Sequence, residues 1–179
     1  MFFHSRLLPL LVRRNRHYYS TKLTHTDPST GEAKMVSVAD KNITRREARA
    51  IGYILLPPET YELLEKNELH TAKGNVLGVA QIAGIQAAKQ TSQLIPLCHP
   101  LLLDKIDVNL RLAQDRVECE SIVRCQGKTG VEMEALTATN IALLTVYDMC
   151  KASSKKMVIE GIRVVEKSGG KSGSWEWSS

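Results

Sequence analysis

Alternation of apolar and polar residues marks two neighbouring strands in the middle of the chain. In the segment 104–114, DKIDVNLRLAQ, every second residue from Ile106 to Leu112 is apolar. The segment 116–125, RVECESIVRC, is a second strand candidate, and Gln114-Asp115 connects the two. A period of two residues is typical of a strand with one buried face, and a short polar connection favours a hairpin. The pattern therefore predicts an antiparallel pair.

Two further strands are predicted near the ends of the folded body. The segment 43–56, ITRREARAIGYILL, ends in a strand-like run, although its first half is also compatible with a helix. The segment 157–167, MVIEGIRVVEK, is predicted to close the fold as a strand. A short amphipathic helix, PETYELLEKNE, is expected to begin at Pro58, because proline is tolerated in a first helical turn.

Two longer segments have apolar residues at helical spacing. The segment 74–94 is predicted to form a helix with Asn75 as its N-cap. The segment 131–152 is predicted to form a second helix, preceded by Thr129 with Glu132 three residues later. That spacing is the sequence signature of a capping box.

The order of the predicted elements indicates an α+β fold. Strand, helix, strand, strand, helix, strand is the split βαβ, ferredoxin-like arrangement, in which the helices lie on one face of an antiparallel sheet. The opposite face of such a sheet needs cover, so we expect an oligomer. The 179 residues suffice for one domain with a substantial core.

The positive charge of the chain is concentrated at its beginning. The formal net charge is +5, and five of the 24 basic residues lie in residues 1–26, which contain no acidic residue. The remainder therefore carries 19 basic residues against all 19 acidic ones, so a polyanionic partner is not indicated. A ferredoxin-like RNA-binding module would also need a basic sheet face with aromatic residues, and the sequence pattern supports neither.

The terminal segments differ in composition from the body. Residues 1–19 are rich in arginine and free of acids, as expected of a mitochondrial transit peptide, and the mature protein is then expected in the matrix. A disordered basic arm is the alternative. Residues 20–166 are predicted to form the folded domain, and the segment 167–179 a flexible tail because of its glycine and serine content.

Cys98 and His99 stand side by side between Pro96 and Pro100. They could be metal ligands, a nucleophile with its base, or part of a pocket wall. Adjacent residues rarely chelate one metal, their side chains diverge on most backbones, and the four cysteines of the chain have no zinc spacing. The two prolines restrict the backbone, so a pocket wall is the favoured interpretation.

Further candidates are charged residues near helix ends. Lys73 precedes a helix N-terminus, where anions are attracted, although a solvated lysine is the commoner case. Asp148 interrupts an apolar run, with Lys151 three residues later on the same helix face. The pair is either a surface ion pair or an acid and base whose pKa values are tuned by burial and by each other. Of the two glutamates near the start of this helix, Glu134 is the one with no predicted structural role, because Glu132 is assigned to the cap.

Several long motifs resemble the MoaC-type family, the cyclic pyranopterin monophosphate synthases of molybdenum cofactor biosynthesis. They are IAGIQAAKQTSQLIPLCHPL, TGVEMEALTATNIALLTVYDMCKA and KSGGKSG, preceded by LTHTDPSTGEAKMVSV from residue 23. The resemblance implies a ferredoxin-like hexamer that converts 3′,8-cyclo-7,8-dihydro-GTP to cyclic pyranopterin monophosphate with release of pyrophosphate. No cofactor and no metal-ligating residue are predicted. A separate radical enzyme must supply the substrate, since the CxxxCxxC motif of such enzymes is missing here.

The resemblance also implies roles for individual residues. Asp148, Lys151 and Lys73 match functional positions of the family, with Asp148 as the catalytic aspartate. The expected substrate-binding residues are Leu97, Cys98, His99, Met133 and Glu134. Basic residues expected to help hold the triphosphate are Arg46, Lys89 and Lys167.

The chain departs from the family pattern at two positions. Ser37 and Asn75 stand where the family usually carries aspartate, so the local charge around Lys73 is less negative. The alternative to an enzyme is a non-catalytic nucleotide-binding or assembly domain, which would keep the fold without needing Asp148 and Lys151.

Overall fold

The computed structural model describes residues 25–178, so the segment predicted as a transit peptide lies outside the described residues. In chain order the elements are β1 (Thr44–Leu55), α1 (Pro58–Lys66), β2 (His70–Thr71), β3 (Gly74–Asn75), α2 (Val76–Lys89), α3 (Thr91–Leu94), β4 (Leu103–Ala113), β5 (Arg116–Gly127), α4 (Glu132–Cys150), β6 (Val158–Ser168) and β7 (Trp175–Glu176).

The main sheet has five strands in the order β4-β5-β1-β6-β7, and each neighbouring pair is antiparallel. β4 and β5 form the predicted hairpin, with Ala113 opposite Arg116 at its turn. Helix α2 packs on β4, and α4 packs on β1, β5 and β6. Burial alternates along β5 because one face lies under the helices. The α+β, ferredoxin-like prediction is confirmed.

The core lies between the helix pair and the sheet, and small residues allow the two helices to approach closely. Gly84 of α2 is buried, and a Cβ atom at this position would lie 2.9 Å from the carbonyl oxygen of Ala138 in α4. It would also lie 3.2 Å from the Cβ of Ala142. Because Ala138 and Ala142 are both fully buried, this crossing is part of the core.

An inserted unit separates β1 from α2. It consists of α1 and the two-stranded hairpin β2–β3, in which Thr71 pairs with Gly74. At the end of this hairpin the Oδ1 atom of Asn75 accepts a hydrogen bond of 2.7 Å from the backbone N–H of Gly78. The predicted N-cap is therefore confirmed, and it joins the hairpin to the start of α2.

The predicted capping box of α4 is wrong. Helix α4 begins at Glu132 with Val131 as its N-cap, and no side chain caps it. Thr129 lies two residues before the cap position. The Glu132 carboxylate instead forms an ion pair of 3.2 Å with Lys167 of β6, a partner distant in sequence.

Two predicted boundaries also differ from the structure. The predicted helix 74–94 is interrupted at Gln90, after which α3 forms a separate short turn. The boundary placed between 166 and 167 falls inside β6, and the predicted tail contains β7, which pairs with β6. Backbone hydrogen bonding to the sheet edge orders a segment whose composition favours flexibility.

The sheet face opposite the helices is covered with charged pairs. Three arginines contact carboxylates on neighbouring strands at 2.5 Å each, in the pairs Arg49–Glu120, Arg111–Glu118 and Arg124–Glu47. A face of this kind is compatible with water, so it does not by itself require cover by another subunit. The expected oligomer stays a prediction. Within residues 25–178, none of the helices has the length and apolar character needed to cross a membrane.

Candidate functional site

Asp148, Lys151 and Lys73 form one cluster, called here the lysine–aspartate cluster. The Nζ atom of Lys151 lies 2.7 Å from one carboxylate oxygen of Asp148, and the Nζ atom of Lys73 lies 2.7 Å from the other. Lys73 also donates to the backbone oxygen of Asp148 at 3.4 Å. The structure therefore brings together the three residues that the sequence analysis proposed as catalytic.

Local backbone geometry positions each member of this cluster. Asp148 lies in the last turn of α4, and Lys151 is the C-cap residue of that helix. Lys73 lies in the turn between β2 and β3, where its N–H donates to the Thr71 hydroxyl at 3.2 Å. Gly74, the next residue, has φ +108°, a backbone conformation that favours glycine. The KGN motif thus provides the turn that points Lys73 at α4.

The electrostatics of the cluster favour its fully charged state. Hydrogen bonds from Lys151 and then from Lys73 lower the pKa of Asp148 to about 2. The hydrogen bond to Asp148 raises the pKa of Lys151. The side chains of Lys73, Asp148 and Lys151 are 55%, 51% and 53% exposed. In a single copy of the chain these side chains are therefore not tuned by burial, and the cluster carries a net positive charge open to an anion.

A second group of candidate residues lines a cavity, called here the loop pocket. The cavity has a volume of about 140 Å³ and lies between the 95–102 loop and the first turn of α4. Among its lining residues are all five predicted substrate-binding residues: Leu97, Cys98, His99, Met133 and Glu134. The loop is stabilised by a hydrogen bond of 3.1 Å from the N–H of Cys98 to the carbonyl oxygen of Ile95.

Glu134 is the ionisable group of the loop pocket with the largest change in pKa. Its side chain lies inside the fold, and the residue is only 4% exposed. Burial raises the pKa of Glu134 to about 7, and the neighbouring Glu132 carboxylate adds to the increase. Glu134 can therefore exchange a proton near neutral pH, which Asp148 cannot.

The structure bears on the alternatives for Cys98 and His99. Burial and the nearby Glu134 carboxylate raise the pKa of the Cys98 thiol, which disfavours the thiolate needed for nucleophilic attack. Within residues 25–178, His, Cys, Asp and Glu side chains form no group of three or more that could hold a metal ion. Both residues line the loop pocket, which supports the wall interpretation.

Two of the three predicted phosphate-binding residues lie close to the loop pocket. Arg46 donates from Nε to the carbonyl oxygen of Gly127, the last residue of β5, at 3.3 Å. Lys167 pairs with Glu132, a lining residue of the pocket, and donates to the Ser172 hydroxyl at 3.0 Å. Lys89 is exposed in the last turn of α2 and does not line the loop pocket.

The lysine–aspartate cluster and the loop pocket lie at opposite ends of α4. Glu134 and Asp148 are 14 residues apart on this helix. At 1.5 Å per residue they are separated by about 21 Å along the helix axis. In a single copy of the chain the two groups of candidate residues are therefore separate.

Comparison with protein-family models identifies the family of this chain. The model described as MoaC family matches residues 35–170, about three quarters of the sequence and all of the site residues predicted from it. The chain belongs to the MoaC family. This membership places the protein in the biosynthesis of the molybdenum cofactor.

Two residues of this MoaC-family protein were not proposed from sequence as site residues. His25 lines the loop pocket beside Cys98 and Glu134, and Glu132 lines it while paired with Lys167. His25 lies in LTHTDPSTGEAKMVSV, one of the segments that resemble the MoaC family, so this resemblance could have identified it from the sequence. Glu132 was not proposed because its side chain was assigned to the predicted capping box.

Proposed function

We propose that this protein converts 3′,8-cyclo-7,8-dihydro-GTP to cyclic pyranopterin monophosphate and pyrophosphate, acting as a phosphorus–oxygen lyase. The observation that carries the proposal is the convergence of Lys73 on Asp148, 75 residues away, beside Lys151. A non-catalytic binding or assembly domain would not need this arrangement. Membership of the MoaC family supports the same pathway.

The two groups of residues suit different parts of this reaction. Lys73 and Lys151 are cationic and exposed, so they can contact phosphate oxygens and stabilise the departing pyrophosphate. Asp148 stays ionised because of its low pKa and holds both amines in place. Glu134, with a pKa of about 7, is suited to proton exchange during opening and closing of the base ring.

A complete site requires two copies of the chain, because the two groups lie about 21 Å apart along α4. The surface of the helix layer supports such pairing. No Asp, Glu, Lys or Arg occurs in 76–88 of α2 or in 135–147 of α4. Ile82, Leu144 and Val79 are nevertheless 65%, 52% and 42% exposed. Helices without charged surface positions are typical of buried helices.

Two-fold pairing of helix layers, with the axis perpendicular to α4, would bring the beginning of one α4 near the end of the other. An isologous contact uses the same surface of both subunits, and in this orientation it sets the two copies of α4 antiparallel. The loop pocket of one copy would then face the lysine–aspartate cluster of its partner. Three such dimers would make the hexamer expected from the family resemblance.

The activity can be tested with purified protein and the cyclised GTP intermediate. We expect cyclic pyranopterin monophosphate and pyrophosphate in equal amounts, measured by chromatography and by a coupled pyrophosphate assay. Stoichiometric binding without pyrophosphate after hours would instead support the binding or assembly alternative. The substrate must come from a separate enzyme with radical chemistry.

We also propose that the protein is imported into the mitochondrial matrix. The support is the acid-free, arginine-rich composition of residues 1–26. A fluorescent reporter fused to these residues is expected to reach mitochondria, and the mature native protein is expected to begin near Tyr19. A cytosolic reporter, or native protein that retains Met1, would contradict this proposal without affecting the enzymatic one.

A further inference from the structure

A buried hydroxyl pair connects α1 to the carboxyl end of α4. Of the nine residues of α1, all of which the structure describes, Thr60 and Leu64 are buried. Thr60 is 1% exposed, and its hydroxyl lies 2.8 Å from the hydroxyl of Ser153 in the loop after α4. One apolar and one polar side chain therefore anchor this helix.

The direction of the hydrogen bonds follows from the number of protons available. The Ser153 hydroxyl donates to the carbonyl oxygen of Cys150 at 2.8 Å. A serine hydroxyl has one proton, so towards Thr60 it can only accept. The Thr60 hydroxyl is thus the donor to Ser153. Cys150, at the end of this chain of bonds, lies two residues after Asp148 and directly before Lys151.

Backbone hydrogen bonds connect α1 to the hairpin that carries Lys73. The N–H of Leu69 donates to the carbonyl oxygen of Leu64 at 2.8 Å, and the N–H of His70 donates to that of Asn67 at 2.9 Å. These bonds hold the β2–β3 hairpin to the end of α1. Lys73 lies in the turn of that hairpin, so its distance from Asp148 depends on where α1 sits.

Side chains do not fill all of the space between α1 and the end of α4. A cavity of about 340 Å³ lies between α1, the hairpin and the end of α4, and its lining includes Leu63, His70, Lys73 and Met149. Thr60 and Ser153 line the same cavity. Leu64 belongs to the same buried cluster as Met149 and Cys150, so the hydroxyl pair adds a directional contact beside this apolar one.

We propose that Thr60 and Ser153 are positioning residues for the lysine–aspartate cluster: their hydroxyl pair holds α1, and with it Lys73, at pairing distance from Asp148. The catalytic consequence of this role rests on the proposed function, whereas the geometric consequence does not. The bond from Ser153 to Cys150 independently restrains the segment that carries Lys151.

The geometric part is tested by amine labelling of the full-length protein, with site-by-site rates from mass spectrometry. Thr60→Val removes the hydroxyl and leaves the bond from Ser153 to Cys150. We expect labelling of Lys73 to become about two- to fivefold faster, the size expected when an exposed ion pair loosens. Labelling of Lys151 should stay unchanged. Ser153→Ala removes both bonds and should accelerate labelling of both lysines.

The chain offers a matched control in a second buried hydroxyl pair. Thr139 lies 2.9 Å from the Ser121 hydroxyl, which donates to the carbonyl oxygen of Ala135 at 2.7 Å. Thr139→Val therefore removes an equivalent bond in the middle of α4 and should not change the labelling of Lys73. Thr60→Ser, which keeps a hydroxyl, should restore the wild-type rate. Unchanged Lys73 labelling in both Thr60→Val and Ser153→Ala, or an equal increase in Thr139→Val, would overturn the proposal.

Turnover provides the second readout. Thr60→Val should lower kcat/KM by about 10- to 100-fold, the effect of a small misplacement of catalytic groups, and Thr60→Ser should recover most of it. Wild-type kcat/KM in a Thr60→Val protein whose Lys73 labelling has changed would contradict the catalytic consequence. If the wild-type protein lacks synthase activity, the proposed function fails, and the labelling rates still decide the positioning role.

Discussion

Asp148 and Glu134 are carboxylates on the same helix whose surroundings shift their pKa values in opposite directions. Two lysines lower the pKa of Asp148 to about 2, and burial raises that of Glu134 to about 7. Groups with separated pKa values can serve different roles in one reaction. Near neutral pH, Asp148 is therefore ionised, whereas Glu134 is partly protonated.

The first prediction concerns the charge of Asp148. Asp148→Asn keeps the shape of the side chain but no longer neutralises or aligns Lys73 and Lys151. We expect turnover to fall by roughly 10²- to 10⁴-fold, with a melting temperature close to that of the wild type because the side chains are exposed. Steady-state kinetics and calorimetry measure both.

Asp107→Asn is the matched control for this variant. Asp107 also lies between two cations, 3.0 Å from Lys105 and 3.5 Å from Arg124, but on the charged sheet face. The turnover of the Asp107→Asn variant should stay close to that of the wild type. An Asp148→Asn protein that folds, assembles and turns over normally would remove Asp148 from the mechanism.

The second prediction concerns the pH dependence contributed by Glu134. Its pKa is 4.5 in the unfolded chain and about 7 in the folded protein, so between these values the folded state binds more protons. This group therefore lowers stability as pH rises from about 4.5 to 7, by up to about 3 kcal/mol at 1.36 kcal/mol per pKa unit. Glu134→Gln should remove this contribution.

Urea unfolding at constant protein concentration from pH 4.5 to 8 measures this difference. The stability advantage of Glu134→Gln over wild type should grow across the range and level off above pH 7. Glu132→Gln should keep most of the wild-type slope, because burial is a larger cause of the raised pKa of Glu134 than the Glu132 carboxylate. A constant difference between Glu134→Gln and wild type at all pH values would show that Glu134 titrates normally.

At the scale of elements, the close contact of α2 and α4 sets the position of both parts of the site. Helix α4 carries Glu134 at its start and Asp148 at its end, and α2 begins beside the hairpin that carries Lys73. The sequence pattern predicted these helices, but the distance between them depends on Gly84.

The third prediction is that Gly84→Ala destabilises the protein. Alanine is the better helix former by about 1 kcal/mol, yet its Cβ would lie 2.9 Å from the backbone of α4. Separating the helices should cost more than the propensity gain, with a net loss of about 1–2 kcal/mol in the free energy of unfolding. Chemical denaturation measures the loss.

Gly78→Ala in the first turn of the same helix is the comparison. Gly78 is exposed, and the three atoms nearest to its added Cβ would all belong to the side chain of its own cap residue, Asn75. The free energy of unfolding of the Gly78→Ala variant should stay within about 0.5 kcal/mol of the wild-type value. Equal effects of the two substitutions would contradict the role assigned to the helix contact.

At the scale of the whole molecule, the two faces differ in character, because apolar surface lies on the helix layer and charged pairs lie on the open sheet face. The prediction of an oligomer was based on the open sheet face, which proved to be lined with ion pairs. The uncharged surface with exposed Ile82 and Leu144 lies on the helices instead. Apolar surface of this kind is the usual marker of a subunit contact.

The fourth prediction is complementation between inactive variants. Asp148→Asn damages the lysine–aspartate cluster, and His99→Ala damages the loop pocket. If each site combines parts of two copies, co-assembly of equal amounts should restore about a quarter of wild-type activity, the share of sites with two intact parts in random two-fold pairing. Activity is measured after denaturation and joint refolding.

Refolding each variant separately and then mixing the products is the control, and it should restore little activity. The restored activity should also depend on protein concentration in the range where dimers dissociate. A jointly refolded mixture that is no more active than its components would show that each copy contains its own complete site.

Most secondary structure of this protein could be predicted from the sequence, because it depends on local periodicity and caps. Alternation predicted β4 and β5, helical spacing predicted α2 and α4, and Asn75 signalled the start of α2. The (i, i+3) spacing placed Lys151 near Asp148, which the structure confirms. The resemblance supplied Lys73 as a candidate, but no local pattern identified its partner.

Only the tertiary structure decided the properties that depend on residues distant in sequence. The contact of Lys73 with Asp148 requires the inserted hairpin to meet the end of α4, and the partner of Glu132 is Lys167 rather than a helix cap. The raised pKa of Glu134 requires knowledge of its burial. Local sequence sets backbone preferences over a few residues, whereas pairing, burial and the separation of the two parts of the site arise from how the elements pack.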